Sequence, residues 1–245
     1  MNLEDTPSAR LRRTGPACLV AGALALLTAP AVTVAQSVRP VIVEYKGQAR
    51  GKVEVVNDSL FPINVVLEPK SFDINEAGQG LYRSLDPSIH LKLSAMSFRI
   101  PPQQSRYAFY EAASDTLPAW FVLTCTFSGL PQQAGLNIQL ELPHTVYMVQ
   151  KDPLGQGDVN VQSASFQSAP RRVGIRIQNV GPNLGRVVDW QVSSAQKTKH
   201  FAGFPLLPKN SREMQGDWDA TDPPNRFEIR FQHFTIKQSL PLSSP

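Results

Sequence analysis

The sequence has 245 residues, 42% of them apolar and 18% charged, a balance that excludes a disordered or collagen-like chain and is enough for one large domain or two ordinary ones. Its 24 basic and 20 acidic side chains give a net charge of +4, and the basic residues are scattered, with no Lys/Arg run and no interleaved aromatics to support nucleic-acid binding. The 21 prolines and 15 glycines point to many short strands rather than long helices.

Residues 1–35 read as a secretory leader. Arg10, Arg12 and Arg13 form a basic start, Leu19 to Leu27 an apolar run, and Thr33-Val34-Ala35 a small-residue cleavage site. The apolar run is short for a membrane span and is followed by Thr28 and Pro30, which favours cleavage over anchoring, with the mature chain starting near Gln36. The leader holds three of the 24 basic and two of the 20 acidic residues, so its loss brings the net charge from +4 to +3. It also removes Cys18, which leaves Cys125 without a partner and rules out an internal disulfide.

From Pro40 the apolar residues recur with period two, the signature of strands that rest one face on a core. Val41 to Tyr45 and Gly51 to Val56 are the first candidates, with turn chemistry at Asn57-Asp58-Ser59. Ile63, Val65 and Leu67 then alternate with Asn64, Val66 and Glu68. Pro69 to Ser97 is irregular and reads mostly as connection, with one short edge strand around Leu91 and Leu93. After Pro101-Pro102 come Tyr107, Phe109 and Glu111, and then Trp120 to Ser128, which places Phe121, Leu123, Cys125 and Phe127 on one face. Cys125 is most simply a small core residue.

Past the turn at Gly129-Leu130-Pro131, Leu136, Ile138, Leu140 and Leu142 alternate with Asn137, Gln139 and Glu141, and Val146 and Met148 continue the row. This strand is longer than the usual five or six residues, so something must cover its single apolar stripe. The row is either part of the domain's own core or an exposed surface for a partner. The polar stretch beginning at Lys151 and containing Pro153, Gly155 and Gly157 marks the expected boundary: a first domain over 36–151, a linker over 152–158 and a smaller second domain over 159–245. In that second block Val159, Val161, Ser163 and Ser165 form one alternating row, and Val173, Ile175 and Ile177 another. Val187 to Ser193 and Phe227 to Ile236 are further strands, separated by a turn-rich stretch from Lys197 to Asn225. No tandem repeat is visible in the sequence.

Catalytic signatures are missing. The four histidines, His90, His144, His200 and His233, form no short-range metal pair. Asp217, Asp219 and Asp222 lack the glycine and closing glutamate of a calcium loop and read as a solvated loop. There is no G-x-S-x-G turn and no Gly-rich phosphate loop. The expectation is a protein that is not an enzyme and uses no metal or cofactor.

The order of features from Pro40 to Val149 resembles the N-terminal domain of periplasmic pilus (fimbrial) assembly chaperones, and the chain reads as a divergent member of that family. A first strand runs into Lys46-Gly47. Val53-Glu54-Val55-Val56-Asn57-Asp58 is similar to a strand ending in Asn before a proline-containing strand, here with Pro62. Ser97 to Ser105 resembles the family's proline-glycine turn, with Pro102-Gln103-Gln104-Ser105 where glycine is usual, and Asp115-Thr116-Leu117-Pro118-Ala119-Trp120-Phe121 resembles its acidic, Leu-Pro, aromatic stretch. The strand from Leu136 to Met148 resembles the one these chaperones lend to a pilin that lacks its last strand.

The resemblance implies an all-β fold of two immunoglobulin-like β-sandwich domains after a cleaved signal peptide, located in the periplasm. It also implies a function, binding secreted pilin-like subunits by donor-strand complementation, and an outer-membrane usher as a further partner. Leu136, Ile138, Leu140 and Leu142 would fill the subunit's pockets, and burying four such groups contributes on the order of 6 to 12 kcal/mol before ordering costs. The family grips the subunit's terminal carboxylate with an Arg on the first strand and a Lys on the lending strand. Here Val41 and Thr145 stand at those places; Arg39, about 7 Å away on the same strand face, and Lys151, beyond the strand, are the candidate substitutes. Pro143 removes a donor from the lending strand. The other reading is an exported structural or adhesive β-sandwich protein of the cell envelope that lends no strand.

Overall fold

A computed structural model describes residues 36–129 and 139–241; the leader region, Leu136 and Ile138 lie outside the described residues. The first part of the chain forms β1 (Ser37–Arg39), β2 (Ile42–Lys46), β3 (Ala49–Asn57), β4 (Ile63–Ile74), β5 (Gly80–Ser84), β6 (Ile89–Leu93), β7 (Ser97–Ile100), β8 (Gln104–Ser114), β9 (Ala119–Ser128) and β10 (Leu140–Val149). The second part forms β11 (Val159–Ser168), β12 (Arg171–Asn179), β13 (Gly185–Ser193), β14 (Thr198–Leu206), β15 (Ser211–Asp217), β16 (Arg226–Phe231) and β17 (Thr235–Ser239). These are two immunoglobulin-like sandwiches. One packs the sheet β1-β3-β8-β6 against β2-β10-β9-β4-β5, with β7 also on β4, and the other packs β11-β12-β15 against β14-β13-β16-β17.

The strands that carry a clear period of two are those that pack inward. Ile63, Val65 and Leu67 on β4 and Phe121, Leu123, Cys125 and Phe127 on β9 are fully buried in the first core. Cys125 is a free thiol there, and burial pushes its pKa up to about 12, so it is chemically inert as well as enclosed. The second core is built on Val173, Ile175, Ile177, Val187, Val192 and Ile229. Leu154, within the stretch expected to be linker, is buried in it too.

Three expectations are corrected. The stretch from Pro69 to Ser97, read mostly as connection apart from the edge strand around Leu91 and Leu93 that is β6, also holds the end of β4 and all of β5. Every residue of β5 is exposed, so backbone pairing to β4 forms it and no apolar row announces it. The same holds for Lys197 to Asn225, which contains the half-buried β14 and β15. On β11 the pairing with β12 shifts register between Val161 and Ser163. The shift turns Phe166, 3% exposed, toward the core where the plain alternation pointed Ser163 and Ser165 inward.

Candidate functional site

The lending strand foreseen in the sequence is β10, and its two edges differ. Along one edge β9 pairs with it from Leu140 to Met148. On the other edge β2 runs parallel to it, and only from Thr145 to Val149. The Thr145 amide donates to Val41 O at 2.7 Å and the Gly47 amide to Val149 O at 3.0 Å, so the odd-numbered residues turn their backbone groups toward β2. By that parity the N–H and C=O of Glu141 and the C=O of Pro143 point along an edge that no described strand covers. Pro143 sits where its missing N–H faces this open side, so it costs no bond to β9.

The even-numbered side chains stand perpendicular to the sheet, on its core face, and point into the first sandwich. Val146 and Met148 are fully buried, whereas Leu140 and Leu142 pack against the first core but remain half-buried. The apolar row is thus covered at its lower end and only partly covered toward the open edge. Of the residues expected to reach a partner, these two are the ones the described structure locates.

His144 marks the change from open to paired edge and is fully buried. One ring nitrogen, Nδ1, lies 2.5 Å from Pro40 O, and the other, Nε2, lies 3.1 Å from Tyr110 Oη, which in turn is 3.1 Å from Tyr45 Oη. A carbonyl only accepts, so Nδ1 carries the proton, Nε2 accepts from Tyr110 and Tyr45 donates to Tyr110. Burial holds the His144 pKa below the usual imidazole value, offset in part by the bond to Pro40. Sequence spacing gave no sign of this chain, because its members come from strands far apart.

The candidate anchor residues are not brought together. Thr145 faces Ile42 across the ladder, an uncharged pair. Arg39 is exposed at the end of β1, next to Pro40 and the open edge, whereas Lys151 follows the far end of β10. Lys151 lines a crevice of about 230 Å³ between the sandwiches together with Glu44, Lys46, Arg186 and His233. Arg186 donates from Nε to Glu44 Oε1 at 2.6 Å, which leaves Lys46 and Lys151 as the other cations of the crevice. In the sequence Lys46 reads only as the end of a strand and Arg186 is not singled out at all; Arg186 belongs to the second sandwich, and nothing in its spacing connects it to the first.

Two of the three aspartates weighed for calcium are engaged by cations instead, Asp217 with Arg172 at 3.0 Å and Asp219 with Lys197 at 2.9 Å, whereas Asp222 has no ion-pair partner among the described residues. Among the described residues no group of three or more His, Cys, Asp or Glu side chains is placed to hold a metal, and no helix is long and apolar enough to cross a membrane.

No protein-family model matches the sequence, and none of the curated proteins does. Solved structures do match. The complex of the Salmonella enterica SafA pilin with the SafB chaperone aligns over 84% of this chain and 96% of the matched one, at 12% identity and a TM-score of 0.53. The YadV chaperone aligns over 84% of this chain and 99% of its own, at 11% identity and a TM-score of 0.50. At such identities the likeness is one of fold: this chain has the two-domain fold of these chaperones.

Proposed function

We infer that this chain is a periplasmic chaperone that binds secreted pilin-type subunits by lending them β10, without catalysis and without a cofactor. The observation that carries this reading is the edge of β10 from Glu141 to Pro143, whose outward backbone groups no described strand pairs and whose neighbours Leu140 and Leu142 are half-buried on the core face. A subunit lacking its last strand needs both things at once, a hydrogen-bonding edge and apolar side chains for its open groove. Leu136 and Ile138 would extend the same row. In this reading the leader over 1–35 is removed on export, and the two domains over 36–151 and 159–245 flank the linker over 152–158.

A subunit strand on this edge must stop where β2 takes over, at Val41 and Ile42. Strands parallel to β10 end there with their carboxylate, and Arg39, two residues upstream, is the cation nearest in sequence. Ile42 and Thr145 offer no charge at that point, so register depends more on apolar fit than on an ion pair. An outer-membrane usher would receive the loaded complex.

The test is co-purification. The mature protein is expressed with periplasmic subunits, alone and as the combined Leu136→Ser, Ile138→Ser and Leu140→Ser variant, with folding checked by thermal unfolding. Strand lending predicts that a subunit co-purifies with the wild type and is lost from the folded variant. A wild type that binds no subunit and self-associates is instead an exported structural or adhesive protein of the envelope.

A further inference from the structure

The upstream chain is built so that it could close the edge that β10 leaves open. Extending the Thr145↔Ile42 register by two steps places Pro40 beside Pro143 and Val38 beside Glu141. In that arrangement the Arg39 amide would meet Glu141 O and the Glu141 amide would meet Ser37 O, a continuation of the same parallel ladder. The chain does not do this. At Pro40 it crosses to the other sheet, where β1 pairs with β3 through Ser37↔Val56 and Arg39↔Glu54, and Val38 is buried in the core.

The seat of β1 is a modest one. The strand has three residues, and the Ser37 hydroxyl is buried there without a hydrogen-bond partner. At the crossing itself stands His144, whose Nδ1 donates to Pro40 O. Its Nε2 accepts from Tyr110 on β8, and β8 pairs with β3, the strand that carries β1. One imidazole therefore ties the lending strand, the switch point and the sheet that must retain β1.

We propose that His144 is a positioning residue that keeps the lending edge open, by pinning the switch point so that Ser37 to Arg39 stays on β3 and does not cap β10. Its importance for subunit binding rests on the strand-lending reading above. The clamp itself is measurable without any subunit, so failure of one is distinguishable from failure of the other.

Amide hydrogen exchange on the mature protein is the test. In the wild type the Glu141 amide, on the open edge, exchanges quickly. His144→Phe keeps an aromatic ring, somewhat larger than imidazole, and loses both bonds; it is expected to slow Glu141 exchange about tenfold while the amides between β1 and β3 lose protection. His144→Gln, which can donate to Pro40 O and accept from Tyr110, is expected to restore the wild-type pattern. Loss of protection throughout the first sandwich, with Glu141 still fast, would mean that His144 only stabilises the core and would overturn the proposal. Val38→Ser unseats β1 without touching His144 and covers the case in which His144→Phe fails to fold. Slower Glu141 exchange in Val38→Ser supports self-capping, and unchanged Glu141 exchange with β1 released refutes it.

Discussion

Asn57 and Asn179 hold the same place in the two sandwiches. Each is fully buried and ends its strand, β3 or β12. Each side-chain amide donates to the carbonyl four residues ahead, Phe61 O at 2.8 Å or Asn183 O at 2.7 Å. Each also reaches the end of a distant strand, Pro101 O at 2.9 Å or Leu207 O at 3.1 Å. Each Oδ1 accepts from the amide two residues on, Ser59 at 3.1 Å or Gly181 at 2.9 Å. A single asparagine thus closes one turn and ties it to a second, at equivalent points of two domains whose sequences show no repeat.

The consequence is two matched stability defects. Asn57→Ala or Asn179→Ala leaves buried carbonyls and an amide without partners, at a cost of roughly 2 to 4 kcal/mol to the sandwich concerned. Trp120 reports on the first sandwich and Trp190 and Trp218 on the second. Denaturant unfolding of single-tryptophan versions should show Asn57→Ala lowering the midpoint of the first domain and Asn179→Ala that of the second. Equal loss in both domains from either substitution would mean that the two unfold as one unit.

The pair also shows what the sequence made legible. Asn57 stood out because it ends an alternating strand before a turn, whereas the equivalent Asn179 ends a strand with the same pattern and was passed over, since its partners at Leu206 and Leu207 are remote in sequence. Strands buried on one face, such as β4 and β9, could be read directly, because burial imposes the period. The exposed β5 could not, because only its pairing with β4 holds it. The apolar row on β10 was legible as a row, but the alternation does not say where β2 stops covering its edge. That depends on the parallel register with Ile42 and on the crossing at Pro40, neither of which leaves a local signal.

Gly51 is required by the hydroxyl chain rather than by its own backbone. A Cβ there would lie 2.2 Å from Tyr45 Oη and 2.6 Å from Tyr110 Oη. Gly51→Ala must push the two tyrosines apart and is expected to destabilise the first sandwich by about 1 to 3 kcal/mol. Adding Tyr45→Phe removes the nearest atom and should recover part of the loss, a coupling that a double-mutant cycle measures by thermal unfolding. Strictly additive effects would show that the hydroxyls are not what Gly51 makes room for.

His144 should give the protein a stability slope on its acid side. Burial holds its folded pKa below the unfolded imidazole value near 6.5, so the unfolded chain takes up the proton first. Its contribution is then complete above about pH 6.5 and declines as pH falls toward the depressed folded value. Among the described residues the titratable groups hydrogen-bonded in series with it are Tyr110, pushed by burial above its usual range, and Tyr45, so no carboxylate of that series offsets the effect. Denaturant midpoints for wild type and His144→Phe should therefore converge as the solution is acidified below about pH 6.5. A constant difference across that range would show that the imidazole does not resist protonation.

The contacts between the sandwiches differ in weight. Arg186 and Glu44 are each partly exposed, at 24% and 31%, so Arg186→Ala should cost no more than about 1 kcal/mol. The joint keeps the Gln150 amide, which donates to Leu184 O at 2.9 Å and accepts from the Leu184 amide at 3.2 Å, and the Glu213 amide bonded to Glu76 O at 2.9 Å. Beneath these lies an apolar cluster of Phe72, Val122, Tyr147, Leu184 and Leu207. Leu184→Asp puts a carboxylate into that cluster, and burying it unpaired costs several kcal/mol, which separating the domains would relieve. Small-angle scattering should find the radius of gyration unchanged in Arg186→Ala and increased in Leu184→Asp, with both sandwiches still folded by tryptophan fluorescence. The opposite ranking would place the joint in the ion pair rather than in the apolar cluster.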